Sequence, residues 1–164
     1  MTQKKTTVLI ALLLLLIGKT VMAATAMPSF SLASALDGKE VSSKEFKGQV
    51  LLVSFFATWC PPCRQEIPVF IELQEKLRDK KFSILGLSVD EGGANIVKKL
   101  VETEKINYPI LMADKAIMKG FGGVAGIPTS FLVNRKGNVV KSYPGYIPHA
   151  LLEKDIAQVM EKSK

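Results

Sequence analysis

The sequence contains few residues that bind metals or form disulfides: two cysteines and one histidine among 164 residues. Two cysteines exclude a disulfide-dense scaffold, and together with one histidine they cannot supply the four ligands of a structural zinc site. Hydrophobic residues make up 48% of the chain and charged residues 23%, which is an ordinary globular composition. The length suits one domain, so disordered and low-complexity classes are excluded.

The first 26 residues have the pattern of a secretory signal peptide. Lysines precede an unbroken apolar run at residues 8–17, and two small-x-small triplets follow at 21–23 and 24–26. The alternative is an uncleaved membrane tether, although this run is shorter than the ~20 apolar residues that span a bilayer. We therefore predict a cleavable signal peptide over residues 1–26, a single domain over residues 27–164, and a periplasmic or other extracytoplasmic location.

The positive charge of the chain does not indicate nucleic-acid binding. Lys and Arg number 22 against 15 Asp and Glu, a formal net charge of +7, and three of the lysines lie in the predicted signal peptide, which leaves +4. The remaining cations are scattered, and the densest cluster, residues 78–81, resembles a solvated helix end. We expect no nucleic-acid partner. An exported chain also meets oxidising conditions in which a disulfide persists.

The pattern of apolar runs predicts a mixed-sheet α/β domain. A turn at Asp37-Gly38-Lys39 separates two short extended segments, which predicts an N-terminal hairpin. Continuous apolar runs predict buried strands, and segments with helical periodicity alternate with them. The predicted strands are 49–58, 82–89, 108–112, 129–134 and 139–143, and the predicted helices are 61–80, 94–105, 116–121 and 149–161. Strands that alternate with helices and end in a hairpin are typical of an α/β fold whose sheet has an antiparallel edge.

The two cysteines lie where a buried strand meets a helix, in Trp59-Cys60-Pro61-Pro62-Cys63. Cys60 falls at the N-cap, and proline is favoured at the first helical position because its missing N–H has no helical partner. The positive end of the helix dipole and the N–H of Cys63 would stabilise the Cys60 thiolate, which lowers its pKa. One helical turn separates the sulfurs, so they can close a small disulfide.

Two other uses of this pair are weaker. A bridge closing so short a loop would stabilise the fold by only roughly 2 kcal/mol. A metal site would need more ligands than Cys60, Cys63 and the distant His149 provide. We therefore predict redox chemistry at the cysteine pair and no metal.

These motifs resemble the thioredoxin superfamily. The resemblance rests on the strand, the Trp-Cys-Pro-Pro-Cys motif, the helix, and a later Ile127-Pro128 before an antiparallel hairpin. The leader, the N-terminal hairpin and an extra helix–strand unit over about residues 94–112 resemble its exported TlpA/ResA branch. The resemblance implies a thioredoxin fold, with a central mixed sheet flanked by helices and with that hairpin and inserted unit.

The resemblance also implies roles for individual residues. Cys60 would attack a partner disulfide, Cys63 would resolve the mixed disulfide, and Pro128 would be a cis-proline. The reversible Cys60–Cys63 disulfide would be the redox centre, and no bound cofactor is expected. The substrate groove would be bordered by the following residues of the two motifs: Trp59, Pro61, Pro62, Ile127 and Pro128.

One departure from thioredoxins concerns proton transfer. Thioredoxins carry a buried aspartate six residues before the first cysteine, and this chain has Ser54 there. Glu66 instead shares a helix face with Cys63 and an apolar stripe. If Glu66 is buried, its pKa rises and it becomes a proton acceptor near neutral pH. Alternatively, its side chain turns outward, and its negative charge in the first turn is favoured by the helix dipole. Asp90 and Glu91 are interpreted as loop or helix-cap residues.

The predicted function is thiol–disulfide exchange with exported, disulfide-bearing proteins. The branch resemblance implies that the protein is a reductant, and cytochrome c maturation is one role of that family. A membrane protein would then donate electrons to reduce the Cys60–Cys63 disulfide again. A monomer is expected. Oxidation of partner thiols, a thiol peroxidase and a copper-binding thioredoxin-fold module stay open as alternatives.

Overall fold

The computed structural model describes residues 25–162, which form a six-stranded mixed sheet, a separate two-stranded hairpin and four α-helices. The strands are β1 (Thr25–Ala26), β2 (Ser31–Ala33), β3 (Glu40–Ser42), β4 (Val50–Phe56), β5 (Phe82–Ser88), β6 (Ile110–Met112), β7 (Thr129–Val133) and β8 (Asn138–Pro144). The helices are α1 (Pro61–Leu77), α2 (Ala94–Glu104), α3 (Lys115–Gly120) and α4 (His149–Lys162), with 3₁₀ turns at Ser43–Phe46 and Arg78–Lys80.

The sheet is parallel on one side of β4 and antiparallel on the other. Its strand order is β1-β8-β7-β4-β5-β6. Strands β4, β5 and β6 run parallel because helices α1 and α2 provide the crossovers between them. Strand β7 runs antiparallel to β4 and forms a hairpin with β8. All seven residues of β4 are buried, as its continuous apolar run predicts for a central strand.

Each face of the sheet has its own hydrophobic core, because side chains alternate along a strand. Val50 and Leu52 of β4 pack into the cluster that contains α1, α2 and α4. Leu51, Val53 and Phe55 face the opposite cluster, which contains α3 and β2 of the hairpin. The α1 face therefore holds the two cysteines, and the other face supports the strand that leads to them.

Most predicted elements are present, with ends that differ by a few residues. The hairpin β2–β3 surrounds residues 37–39, and the inserted unit consists of α2 and β6. The fold class predicted from the sequence is confirmed.

Strand β1 was not predicted, because Thr25 and Ala26 fall inside the predicted signal peptide. They pair with Val139 and Asn138 of β8. The rest of that segment lies outside the described residues, so the leader stays a prediction. Within residues 25–162, no helix has the length and apolar character needed to cross a membrane.

Candidate active site

The two cysteines lie at the N-terminus of α1 and form a disulfide. Cys60 is the N-cap residue with extended backbone angles, and Pro61 and Pro62 occupy the first two helical positions. The N–H of Cys63 donates to the Cys60 Sγ over 3.4 Å. The helix start predicted from the sequence is confirmed, and the N–H that would stabilise a Cys60 thiolate is in place.

The loop before Cys60 is held by a buried carboxylate that the sequence did not reveal. Asp90 is 7% exposed. It accepts hydrogen bonds from the Thr58 N–H (3.0 Å), the Thr58 hydroxyl (2.6 Å) and the Ser88 hydroxyl (2.8 Å). Asp90 does lie in a loop, but it does not cap α2, whose N-cap is Gly93. The adjacent parallel strands β4 and β5 could have indicated this contact, because the loops after their carboxyl ends meet.

Glu66 lies one helical turn beyond Cys63 and is buried, which is one of the two placements that the sequence left open. Its side chain is 2% exposed, and its Oε1 accepts the Ile147 N–H over 2.8 Å. Burial raises the pKa of Glu66 from its ordinary 4.5 to about 7, because the charged form loses hydration, while the Ile147 hydrogen bond acts in the opposite direction. Glu66 can therefore gain or lose a proton near neutral pH.

Ser54 occupies the place at which thioredoxins carry an aspartate. It is buried and accepts a hydrogen bond from the Ser130 hydroxyl over 2.9 Å. With Cys63 and Tyr108 it lines a small cavity of about 10 Å³, which is room for about one water molecule. Burial and the nearby Glu66 charge raise the pKa of Tyr108, so its phenol stays protonated. Because Ser54 supplies no carboxyl group, Glu66 is the candidate proton acceptor for Cys63.

The predicted proline loop lies at the same edge of the sheet as the cysteine motif. The Ile127–Pro128 peptide is cis, as the resemblance implied. Strand β7 begins at Thr129, which pairs with Phe55 near the end of β4, so the loops before β7 and after β4 are neighbours. A groove of about 440 Å³ runs along residues 121–129 of this loop. The Pro128 carbonyl accepts the Gly145 N–H over 2.8 Å.

The exposure of the predicted groove residues differs. Trp59 is 69% exposed, Pro61 is exposed, Pro62 and Ile127 are partly buried, and Pro128 is buried. The accessible part of this edge is therefore formed mainly by the residues around Cys60.

His149 begins α4, as predicted, and its Nε2 lies 3.7 Å from the Glu153 Oε1. Across residues 25–162, no group of three or more His, Cys, Asp and Glu side chains is arranged to hold a metal ion.

Comparison with known proteins gives consistent results. The Redoxin family model matches residues 22–160. Thiol-disulfide oxidoreductase ResA of Bacillus thuringiensis subsp. konkukian is 34% identical over 134 residues, covering 80% of this chain and 75% of that protein. The ResA protein of Geobacillus thermodenitrificans is 30% identical over 169 residues, covering 96% and 94%.

A solved structure agrees with these relatives. The crystal structure of a thiol:disulfide interchange protein of the thioredoxin family from Chlorobium tepidum TLS superimposes with a TM-score of 0.77 at 37% identity, covering 84% of this chain and 97% of that one. The chain therefore belongs to the redoxin family, within the TlpA/ResA-like part of the thioredoxin superfamily, and is a thiol-disulfide oxidoreductase.

Proposed function

We propose that the protein reduces disulfides in exported partner proteins. The reducing direction is proposed from the branch resemblance, and the observation that carries the exchange mechanism is Glu66, a buried carboxyl group with a pKa of about 7 one turn beyond Cys63. Reduction of a partner is completed when Cys63 attacks the mixed disulfide, and that attack requires the thiolate. A proton acceptor near neutral pH beside Cys63 assists this step.

The proposed reaction transfers two electrons to the partner. The Cys60 thiolate attacks one partner sulfur, which breaks the partner disulfide, forms a mixed disulfide and releases one partner thiolate. Cys63 gives its proton to the Glu66 carboxylate, and its thiolate then attacks the Cys60 Sγ. This second attack forms the Cys60–Cys63 disulfide and releases the other partner thiolate. A dithiol on a membrane protein then reduces the pair, so the cycle uses no bound cofactor.

We place partner contact on the edge that surrounds Cys60. The exposed Trp59 ring and Pro61 would meet the partner first, because Cys60 itself is only 3% exposed. Pro62, Ile127 and Pro128 would border the partner segment that carries the disulfide. Cytochrome c maturation is the partner system proposed from the branch resemblance, and the protein would act as a monomer.

We further propose that the protein acts outside the cytoplasm after cleavage of its leader. Cleavage after Ala23 would keep β1 in the mature chain, and cleavage after Ala26 would remove it. N-terminal sequencing of the exported protein distinguishes these positions, and an intact N-terminus would show a tether instead.

The direction of electron flow is tested by the equilibrium of the Cys60–Cys63 couple with glutathione. A reductant should have a potential well below that of DsbA, a strong oxidant at about −120 mV. A measured value near that potential would assign the protein to partner oxidation instead. As a matched kinetic test, Glu66→Gln should slow release of the reduced partner at pH 7 more than it slows formation of the mixed disulfide.

A further inference from the structure

Basic residues that are scattered in the sequence meet at the end of the sheet opposite Cys60. Helix α1 carries the chain from Cys60 to this end, and β4 returns from it, with the Val50 N–H bonded to the Lys81 carbonyl. The turn between β7 and β8 and the last turn of α4 reach the same end. We call it the basic end, and its cations are Lys80, Lys81, Arg135, Lys136, Lys141 and Lys162.

A groove of about 520 Å³ opens at the basic end between the β7–β8 hairpin and α4. Arg135, Lys136, Lys141 and Lys162 line it, with Asp155 as the acid among the lining residues. Asp155 is buried and pairs with the Lys141 Nζ over 2.6 Å, so it offsets the charge of Lys141. The groove therefore has a net positive charge and suits an anionic partner.

The cations of the groove are connected to those after α1. The Arg135 guanidinium donates to the Lys80 carbonyl over 3.1 Å, which joins the hairpin turn to the segment at residues 78–81. The acids within these stretches are Asp79, Asp155 and Glu161. Arg78 of the same segment pairs with Glu75 and adds no net charge, so six cations against three acids leave a surplus of three positive charges at this end.

The N-terminal segment joins the domain beside this groove. Thr25 pairs with Val139, and the Met27 N–H donates to the Gly137 carbonyl over 2.8 Å. Val140, which follows Val139 in β8, lines the groove, so β1 begins beside it. The apolar run ends at residue 17, so the intervening residues span at most about 28 Å.

We propose that the basic end docks on the anionic phospholipid headgroups of the membrane surface and thereby points Cys60 away from the bilayer. Lysine and arginine near an anionic surface each contribute about fivefold to membrane partitioning. Helix α1 separates the two ends by about 25 Å, so docking leaves the cysteine edge open to partners. The cations would hold this end at the membrane surface.

The chain offers a direct optical test, because Trp59 is its only tryptophan and lies at the cysteine edge. The native protein and a Trp59→Phe/Val140→Trp variant are mixed with vesicles that carry a headgroup-attached nitroxide quencher. The tryptophan introduced by Val140→Trp should be quenched on phosphatidylglycerol vesicles and not on phosphatidylcholine vesicles, whereas Trp59 should stay unquenched on both. The measurement uses the mature chain cleaved after Ala23, so that the apolar run at residues 8–17 does not itself insert into either lipid and β1 stays in place.

Charge variants provide the second measurement. Lys136→Gln/Lys162→Gln should lower partitioning to phosphatidylglycerol vesicles about 25-fold, whereas Lys98→Gln/Lys99→Gln on the exposed face of α2 should change it little. Raising the salt concentration should weaken binding of the native protein. Both variants should keep the native rate of exchange with a soluble disulfide in the absence of vesicles, which separates membrane docking from catalysis.

Three results would overturn the proposal. The first is equal quenching of both tryptophans, and the second is an equal loss of partitioning in both charge variants. The third is that phosphatidylglycerol vesicles do not quench the tryptophan introduced by Val140→Trp, and that the groove instead binds an acidic peptide, an oligonucleotide or a second copy of the chain.

Discussion

Replacing Glu66 by glutamine should make the folded protein more stable at neutral and alkaline pH but not at pH 4. Burial raises the pKa of Glu66 from 4.5 to about 7 in the folded state. Between these values the folded chain holds a proton that the unfolded chain has released, so native stability falls as the pH rises through this window. The fall is 1.36 kcal/mol per unit of pKa shift, or about 3 kcal/mol in total. Glutamine cannot ionise, and its carbonyl oxygen can still accept the Ile147 N–H.

The assay is urea unfolding of the oxidised native protein and of Glu66→Gln from pH 4 to pH 9. The difference in unfolding free energy should be near zero at pH 4, grow between pH 4.5 and pH 7, and then stay level. Glu72→Gln is the matched control, because Glu72 is exposed on the same helix and keeps its hydration on folding. A difference for Glu66→Gln that does not vary with pH would refute the reasoning, and Glu66 would then lose its proposed role as the proton acceptor.

Three further outcomes follow from the contacts around the site. Asp90→Ala should lower the unfolding free energy by about 3 kcal/mol, measured by urea titration, because the Thr58 N–H and the Thr58 hydroxyl both lose their acceptor. Asp90→Asn should recover part of this loss, and unchanged stability in the alanine variant would contradict these hydrogen bonds. Gly86→Ala should cost about 1–3 kcal/mol in the same assay, because the new methyl group would overlap the Ile110 side chain. Cys63→Ala should leave partner proteins attached through a disulfide that dithiothreitol releases, seen by non-reducing electrophoresis, and the absence of adducts would argue against exchange with proteins.

The sequence predicted those features that depend on local signals. The buried strand, the N-cap at Cys60 and the two prolines are adjacent in the chain, so the start of α1 follows from residue type and spacing. The periodicity of one helix places Glu66 on the same face as Cys63, but it leaves open whether Glu66 is buried. The cis isomer at Pro128 was available only from the family resemblance, because nothing in the adjacent residues specifies it.

Contacts between distant segments could not be predicted in the same way. The Ser54–Ser130 hydrogen bond joins residues that are 76 positions apart, and the Thr58–Asp90 bonds span 32 positions. Both depend on the strand order, which places β4 between β5 and β7. Without that order, Asp90 was indistinguishable from a polar loop residue, and strand β1 was hidden within a leader-like segment.

Glu66 shows how the two kinds of information combine. Its place on the Cys63 face could be derived from the helix, but the strength of its proton affinity depends on Ile147, which is 81 positions away in the sequence. That N–H stabilises the carboxylate and limits how far burial can raise the pKa. Ile147 follows Gly145, whose own N–H binds the Pro128 carbonyl. One short loop therefore contacts both the cis-proline and the acid, and a partner that displaced this loop would remove the bond to Glu66 and increase its affinity for the Cys63 proton.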